Sequence, residues 1–256
     1  MSKISEVFES LSKKNEAALI TYLTAGYPTL DASLNYIKTL AQYSDMIEIG
    51  VPFSDPIADG KTIQFSSQIA LKSGVNLVEI LKRVAGLDIK KPIILLSYLN
   101  PLIALGIEES FRKMQKARIA GLIVPDLVIE ESELLKELAL KYSIDLIHLV
   151  APTSDKKRIK LIGEATKGFI YCVSVTGTTG VRKKLPYKLL SFISLVKSIV
   201  QKPVAVGFGI SHPGQIKKLS KVADGIIIGS RIIEIIRNRE DLNFHLKRFK
   251  QATMRG

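Results

Sequence analysis

Eight short apolar runs, nearly continuous rather than alternating, recur along this chain with amphipathic stretches between them. They are Ala18–Leu23, Met46–Gly50, Ile93–Tyr98, Gly121–Val124, Asp145–Val150, Phe169–Val173, Pro203–Phe208 and Gly225–Gly229. Continuous Ile/Val/Leu runs are the pattern of parallel strands covered on both faces. The stretches between them carry apolar residues at helical spacing: Leu34, Ile37, Leu40 and Ala41; Leu134, Leu135, Leu138 and Ala139; Leu189, Phe192, Ile193 and Val196. Asp31, Ser132, Asp155 and Ser211 stand where helix N-caps belong, the last just before Pro213. Eight strand–helix units in order predict a closed α/β fold, the (β/α)₈ TIM barrel, with an extra N-terminal helix and a short helix after the eighth strand. An open doubly wound sheet is the alternative, and the chain has no dinucleotide fingerprint to support it. Two stretches interrupt the regularity, Val51–Gly86 and Ser174–Leu185.

The 256 residues fit one barrel, and no linker or low-complexity tract divides them, so residues 1–256 are expected to form a single catalytic domain. The first fifteen residues place Ile4, Val7, Phe8 and Leu11 on one helical stripe, unlike a signal-peptide core. The longest uncharged run, Pro92–Ile107, is 16 residues and is broken by Asn100-Pro101, too short for a membrane span. Cys172 has no partner for an internal disulfide and sits in an apolar run. These features point to a cytoplasmic protein without a membrane association. The net charge of +13 raises the question of nucleic acid. Its lysines are scattered as pairs, however, and are not interleaved with aromatics, so a small anionic substrate is the better match.

In such barrels chemistry sits where strands end. The second run leads into Glu48-Ile49-Gly50-Val51-Pro52-Phe53-Ser54-Asp55-Pro56-Ile57-Ala58-Asp59-Gly60. Ile47 and Ile49 share one face, so Glu48 points to the other, into the barrel near its carboxyl rim. There it is either a structural carboxylate paired with an internal base or, with burial raising its pKa, a general acid–base. Asp59-Gly60 alone reads as a turn; with Glu48 it makes a pair of carboxylates, one on a strand and one on a loop. Gly207-Phe208-Gly209 after the seventh run and Gly229-Ser230 after the eighth, opening a helix over Arg231–Ile236, suit a phosphate held by backbone N–H groups and a helix N-terminus. Ser174–Val181 reads as a lid or as a plain connector. His148, His212 and His245 have no metal-ligand spacing, and no metal is expected.

Taken together, Tyr22-Leu23-Thr24-Ala25-Gly26-Tyr27-Pro28, Glu48 through Gly60, Ser174–Gly180, Gly207–Ser211 and Gly229-Ser230 resemble, in order and spacing, the α subunit of tryptophan synthase over the whole length. The resemblance implies a carbon–carbon lyase that cleaves indole-3-glycerol phosphate to indole and glyceraldehyde 3-phosphate in tryptophan biosynthesis. It implies no cofactor in this subunit, since pyridoxal phosphate belongs to the partner β subunit, and an α2β2 heterotetramer. By position, Glu48 matches the catalytic glutamate and Asp59 the aspartate that holds the indole nitrogen. Tyr171 matches a tyrosine near the glycerol portion and Thr179 a lid threonine. Gly180, Gly209, Gly229 and Ser230 match the phosphate cradle, and Tyr22, Leu96, Tyr98, Ile123 and Phe208 the indole pocket. Lys61, Thr21 and Val128 stand where the family commonly has proline, and Lys61 would either extend into solvent or reach Asp59. A stand-alone lyase releasing free indole, a non-catalytic phosphate-binding allosteric partner and an isomerase of phosphorylated ribose derivatives are the competing readings.

Overall fold

The computed structural model describes residues 1–173, 188–207 and 209–255. These form nine strands: β1 Ala18–Thr24, β2 Met46–Gly50, β3 Ile93–Leu96, β4 Ile119–Ile123, β5 Asp145–Ile147, β6 Leu149–Val150, β7 Ile170–Val173, β8 Val204–Gly207 and β9 Gly225–Ile228. All pair in parallel, in the order β5-β4-β3-β2-β1-β9-β8-β7-β6. The two ends of that order, β5 and β6, are halves of the single run Asp145–Val150, interrupted only at His148. The eight expected runs therefore close into a (β/α)₈ barrel whose fifth strand is broken. The broken residue is buried, its Nε2 has no hydrogen-bond partner, and burial followed by the charges of Lys136 and Lys202 lowers its pKa to about 4. His148 is thus held neutral.

The helices follow the alternation: α1 Lys3–Lys13, α2 Leu30–Tyr43, α3 Lys61–Lys72, α4 Leu77–Ala85, α5 Leu99–Leu105, α6 Ile107–Lys116, α7 Glu133–Lys141, α8 Lys156–Ala165, α9 Leu189–Ile199, α10 Pro213–Leu219, α11 Ser230–Arg237 and α12 Leu242–Ala252. The stretch Val51–Gly86 resolves into the loop carrying Asp59 followed by α3 and α4. Of the four expected N-caps, Asp155 caps α8, accepting from Arg158 N–H at 2.7 Å. The other three differ. Thr29, two residues before Asp31, caps α2, because its extended backbone aims the hydroxyl at Ala32 N–H. Ser132 stands at the start of α7 but leaves a 3₁₀ turn in helical conformation, and its hydroxyl donates back to the Ile129 carbonyl. His212 replaces Ser211 at α10: its Nδ1 accepts from Gly214 N–H while the Gln215 side chain accepts from His212 N–H. Among the described residues no helix is long and apolar enough to cross a membrane.

Helix α1 closes the amino-terminal end of the barrel. Ile4 lies against Gly121, where a Cβ would fall 2.8 Å from its methyl, and Phe8 lies against Gly225. Small residues at the strand starts therefore admit α1's apolar stripe, and Ile4, Phe8 and Leu11 are buried.

Candidate active site

The strand register gathers the inward-facing residues near the carboxyl rim. Tyr22 of β1 pairs with Glu48 of β2, Gly50 with Leu96 of β3, and Leu96 with Ile123 of β4. Tyr171 of β7 pairs with Leu149 across the ring and with Ala205 of β8 on its other side. Side chains registered in a parallel sheet point to the same face, so Tyr22 and Glu48 are inward neighbours. The structure thus brings together Glu48, Tyr22, Leu96, Ile123, Tyr171 and, just past β3, Tyr98, all at least nine-tenths buried.

Space for the tyrosines comes from glycines, one of them, Gly50, not among the expected site residues, and the others expected at the phosphate rather than beside a ring. A Cβ on Gly50 would lie 2.1 Å from the Tyr22 hydroxyl oxygen, and one on Gly207 would lie 2.4 Å from that of Tyr171. Gly229 also borders Tyr22, 3.1 Å from its ring.

Glu48 is 1% exposed, and its Oε2 has no hydrogen-bond partner. None of the ion pairs among the described residues involves it, so no described base compensates its charge. Desolvation, followed by the nearby charge of Asp59, raises its pKa to about 8. Asp59 enters from the loop after β2. Burial raises its pKa to about 6, and a hydrogen bond from Tyr98 partly opposes that rise. The two carboxyls are therefore set apart: near neutral pH Glu48 keeps its proton and Asp59 is mostly ionised, the pattern of an acid beside an anion.

Tyr98 does more than line a pocket. Its hydroxyl accepts from Ala58 N–H at 3.0 Å and its ring stacks on Phe53, 5.0 Å between centroids, so it grips the loop on both sides. The loop's far end is fixed by Gln64, whose side chain donates to the Asp59 carbonyl at 2.9 Å. Asp126, after β4, accepts from Leu99 N–H at 3.0 Å and caps α5 beside Tyr98. Lys61 is the first residue of α3, exposed, and makes no ion pair among the described residues, Asp59 included. Its extension into solvent is the reading that holds. Thr21, at another of the proline positions, is buried and shares a 2.7 Å hydrogen bond with Ser44.

Beside β1 on the rim, Gly229 precedes α11, and Ser230, buried, is its first residue. Helix α11 runs one residue further at each end than the expected Arg231–Ile236. Gly209 adopts φ +78°, a left-handed conformation that favours glycine. Thr179, Gly180 and Phe208 lie outside the described residues. Among the described residues no group of three or more His, Cys, Asp and Glu side chains is placed to hold a metal ion.

Comparison with known proteins agrees with this arrangement. The family model for the tryptophan synthase alpha chain matches residues 8–255. The tryptophan synthase alpha chain of Carboxydothermus hydrogenoformans is 46% identical over 242 residues, 93% of this chain and 90% of its own length. That of Aquifex aeolicus is 42% identical over 98% of this chain and 99% of its own. A chain of Mycobacterium tuberculosis tryptophan synthase superposes with a TM-score of 0.93 at 32% identity, covering all of this chain and 99% of that one. A chain of the tryptophan synthase complex from Pyrococcus furiosus gives 0.84 at 34% identity, covering 93% and 98%. With the barrel, the paired carboxylates and full-length similarity all in agreement, the chain belongs to the tryptophan synthase alpha chain family.

Proposed function

We propose that this chain cleaves indole-3-glycerol phosphate by a retro-aldol reaction in which Glu48 moves the protons and Asp59 holds the indole. C3 of the indole must gain a proton and the hydroxyl on the attached glycerol carbon must lose one, so that the bond between those two carbons breaks and that carbon becomes the aldehyde. Glu48, protonated near neutrality, supplies the first proton and as its conjugate base accepts the second. Asp59, ionised, accepts the indole N–H and stabilises the positive charge that grows there as C3 is protonated. Tyr22, Leu96, Tyr98, Ile123 and Phe208 surround the indole, and Tyr171 meets the glycerol portion. Gly180, Gly209, Gly229 and Ser230 take the phosphate at the N-terminus of α11.

The observation that carries this reading is the buried Glu48, its Oε2 without a hydrogen-bond partner and its pKa at about 8, beside Asp59 at about 6. Activity requires Glu48 protonated and Asp59 ionised, so kcat/KM follows a bell with its acidic limb near 6 and its alkaline limb near 8. Indole release by the purified chain is the test. Glu48→Gln and Asp59→Asn each lower it by at least about 10²-fold with folding retained. Near-normal turnover in Glu48→Gln would refute the assignment.

The partner is a β subunit that holds the pyridoxal phosphate and receives the indole, in an α2β2 assembly; the Mycobacterium tuberculosis and Pyrococcus furiosus relatives come from tryptophan synthase structures. A cytoplasmic location fits such a biosynthetic pair. The loop through Asp59 exposes Ile57, an apolar side chain 77% accessible beside the site. Adding a β subunit stimulates indole release strongly. Equal rates with and without it would favour a stand-alone lyase.

A further inference from the structure

Behind Tyr22 a chain of three buried hydroxyls leads out of the site. The Tyr22 hydroxyl lies 3.1 Å from Thr24 Oγ1, which lies 2.7 Å from Ser66 Oγ on α3. Ser66 Oγ in turn donates to the Ile63 carbonyl at 2.8 Å. Thr24 and Ser66 are fully buried. Each hydroxyl has one hydrogen, so the last bond fixes the direction of the others. Ser66 has given its hydrogen to Ile63, so Thr24 donates to Ser66 and Tyr22 donates to Thr24. The phenol hydrogen is spent on a residue outside the carboxylate pair, and the side of the oxygen towards the pocket offers lone pairs only.

Glu48 is the inward neighbour of Tyr22 across the β1–β2 register. We propose that Thr24 and Ser66 are positioning residues for the cleavage: they commit the Tyr22 hydrogen away from Glu48, so that the phenol meets the glutamate only as an acceptor. An acceptor-only neighbour favours the protonated carboxyl, whereas a phenol free to turn would donate to the carboxylate and favour its ionised form. Of the other groups facing this pair, Asp59 acts in the same sense. Asp59 from the loop after β2 is an anion, and Tyr98 beyond β3 and Tyr171 of β7 are neutral phenols; no cation figures among the described neighbours of Glu48 or Tyr22. The relay therefore withholds from Glu48 the hydrogen of the phenol registered beside it.

This inference rests on Glu48 as the acid, and its test reads the glutamate directly. In full-length protein carrying ¹³C in the glutamate side-chain carboxyls, the Glu48 resonance is assigned by its absence from Glu48→Gln and titrated by NMR. Ser66→Ala and Thr24→Val each release the Tyr22 hydrogen and move the Glu48 midpoint down by about half a unit or more, and the alkaline limb of kcat/KM moves with it. Thr24→Ser, which keeps the hydroxyl, titrates like the parent. In a Tyr22→Phe background Ser66→Ala moves nothing further, because no hydrogen remains to be released. An unmoved midpoint in both Ser66→Ala and Thr24→Val, or the same displacement of Ser66→Ala with and without the Tyr22 hydroxyl, would overturn the relay. Those outcomes leave the acid assignment standing, which would instead fall if Glu48→Gln still released indole.

Discussion

Replacing the buried acid should make the protein more stable, and by an amount that depends on pH. Glu48 has a folded-state pKa of about 8 against 4.5 for the free side chain. Below 4.5 both folded and unfolded chains hold the proton and the group adds nothing to the balance. Between 4.5 and 8 the unfolded chain gives up its proton while the folded chain keeps it, so stability falls as pH rises; above 8 the loss is complete. Each pH unit in that window costs about 1.36 kcal/mol. From pH 5 to pH 8 the folded state therefore loses about 4 kcal/mol that Glu48→Gln, which does not titrate, retains. Any constant difference between the buried amide and the buried acid is the same at every pH and does not enter the slope. For a chain of this size about 4 kcal/mol corresponds to roughly 10 °C in Tm. Thermal unfolding of parent and Glu48→Gln at pH 5, 6, 7 and 8 is the assay, with the gap between them widening steadily in favour of the variant. A gap independent of pH, or one that narrows as pH rises, would show that Glu48 is ionised in the folded protein and that the acid assignment is unsound.

Other substitutions probe the remaining parts of the site. Gly50→Ala puts a methyl 2.1 Å from the Tyr22 hydroxyl, so it should cost about 1–3 kcal/mol of stability and displace that ring, read by denaturation and by indole release together. A parent-like variant would mean Tyr22 does not need that space. Gly209→Val forces a β-branched residue into φ +78° and should weaken glycerol 3-phosphate binding in calorimetry while mainly raising KM. Unchanged affinity would move the phosphate elsewhere. Lys61→Pro should leave the basal rate of the isolated chain within about twofold at all salt concentrations, since Lys61 is exposed and unpaired and surface charges contribute little. A salt-dependent rise in rate would restore the idea that Lys61 tethers Asp59.

The barrel was legible in the sequence because parallel strands leave a periodic imprint: each apolar run became a strand to within three residues at either end. What the pattern could not show was the break at His148, since a histidine inside an Ile/Leu run carries no signal of a lost ladder bond. Caps were less legible. Asp31, Ser132 and Ser211 have the right chemistry near the right places, and local backbone conformation decided which neighbour did the capping. Of the site, Glu48 could be placed by face counting, because strand alternation is rigid. Asp59 could be paired with Glu48 as a second carboxylate, but its direction could not be read, because a loop has no period. Gly207 was read as part of a phosphate loop, but its missing side chain makes room for Tyr171, a contact between adjacent strands that one-dimensional spacing does not encode. Thr24 and Ser66 are 42 residues apart and meet only because α3 folds back over β1.

The two ends of the barrel use glycine for opposite ends. At the closed end Gly121 and Gly225 admit Ile4 and Phe8, so the interior is filled with hydrocarbon and α1 seals it from water. At the open end Gly50, Gly207 and Gly229 admit aromatic rings whose hydroxyls stand among two carboxyls. The second arrangement opposes folding, because it buries Glu48 with an unpaired oxygen. It works only if water is kept from reaching Glu48 by any route other than the substrate's, since hydration would return the acid to its ordinary pKa. The plug and the pocket are therefore linked through the barrel interior, where Phe8 meets Phe169 at 5.6 Å and Phe169 meets Tyr171 at 6.4 Å. That aromatic column runs from the seal to the site, and truncating it at Phe8, far from any reacting atom, should lower the Glu48 midpoint if water then enters from below. Phe8→Ala followed by the same carboxyl titration decides it: a midpoint still at about 8 would mean that the packing around Glu48 itself, and not the seal, keeps the acid dry.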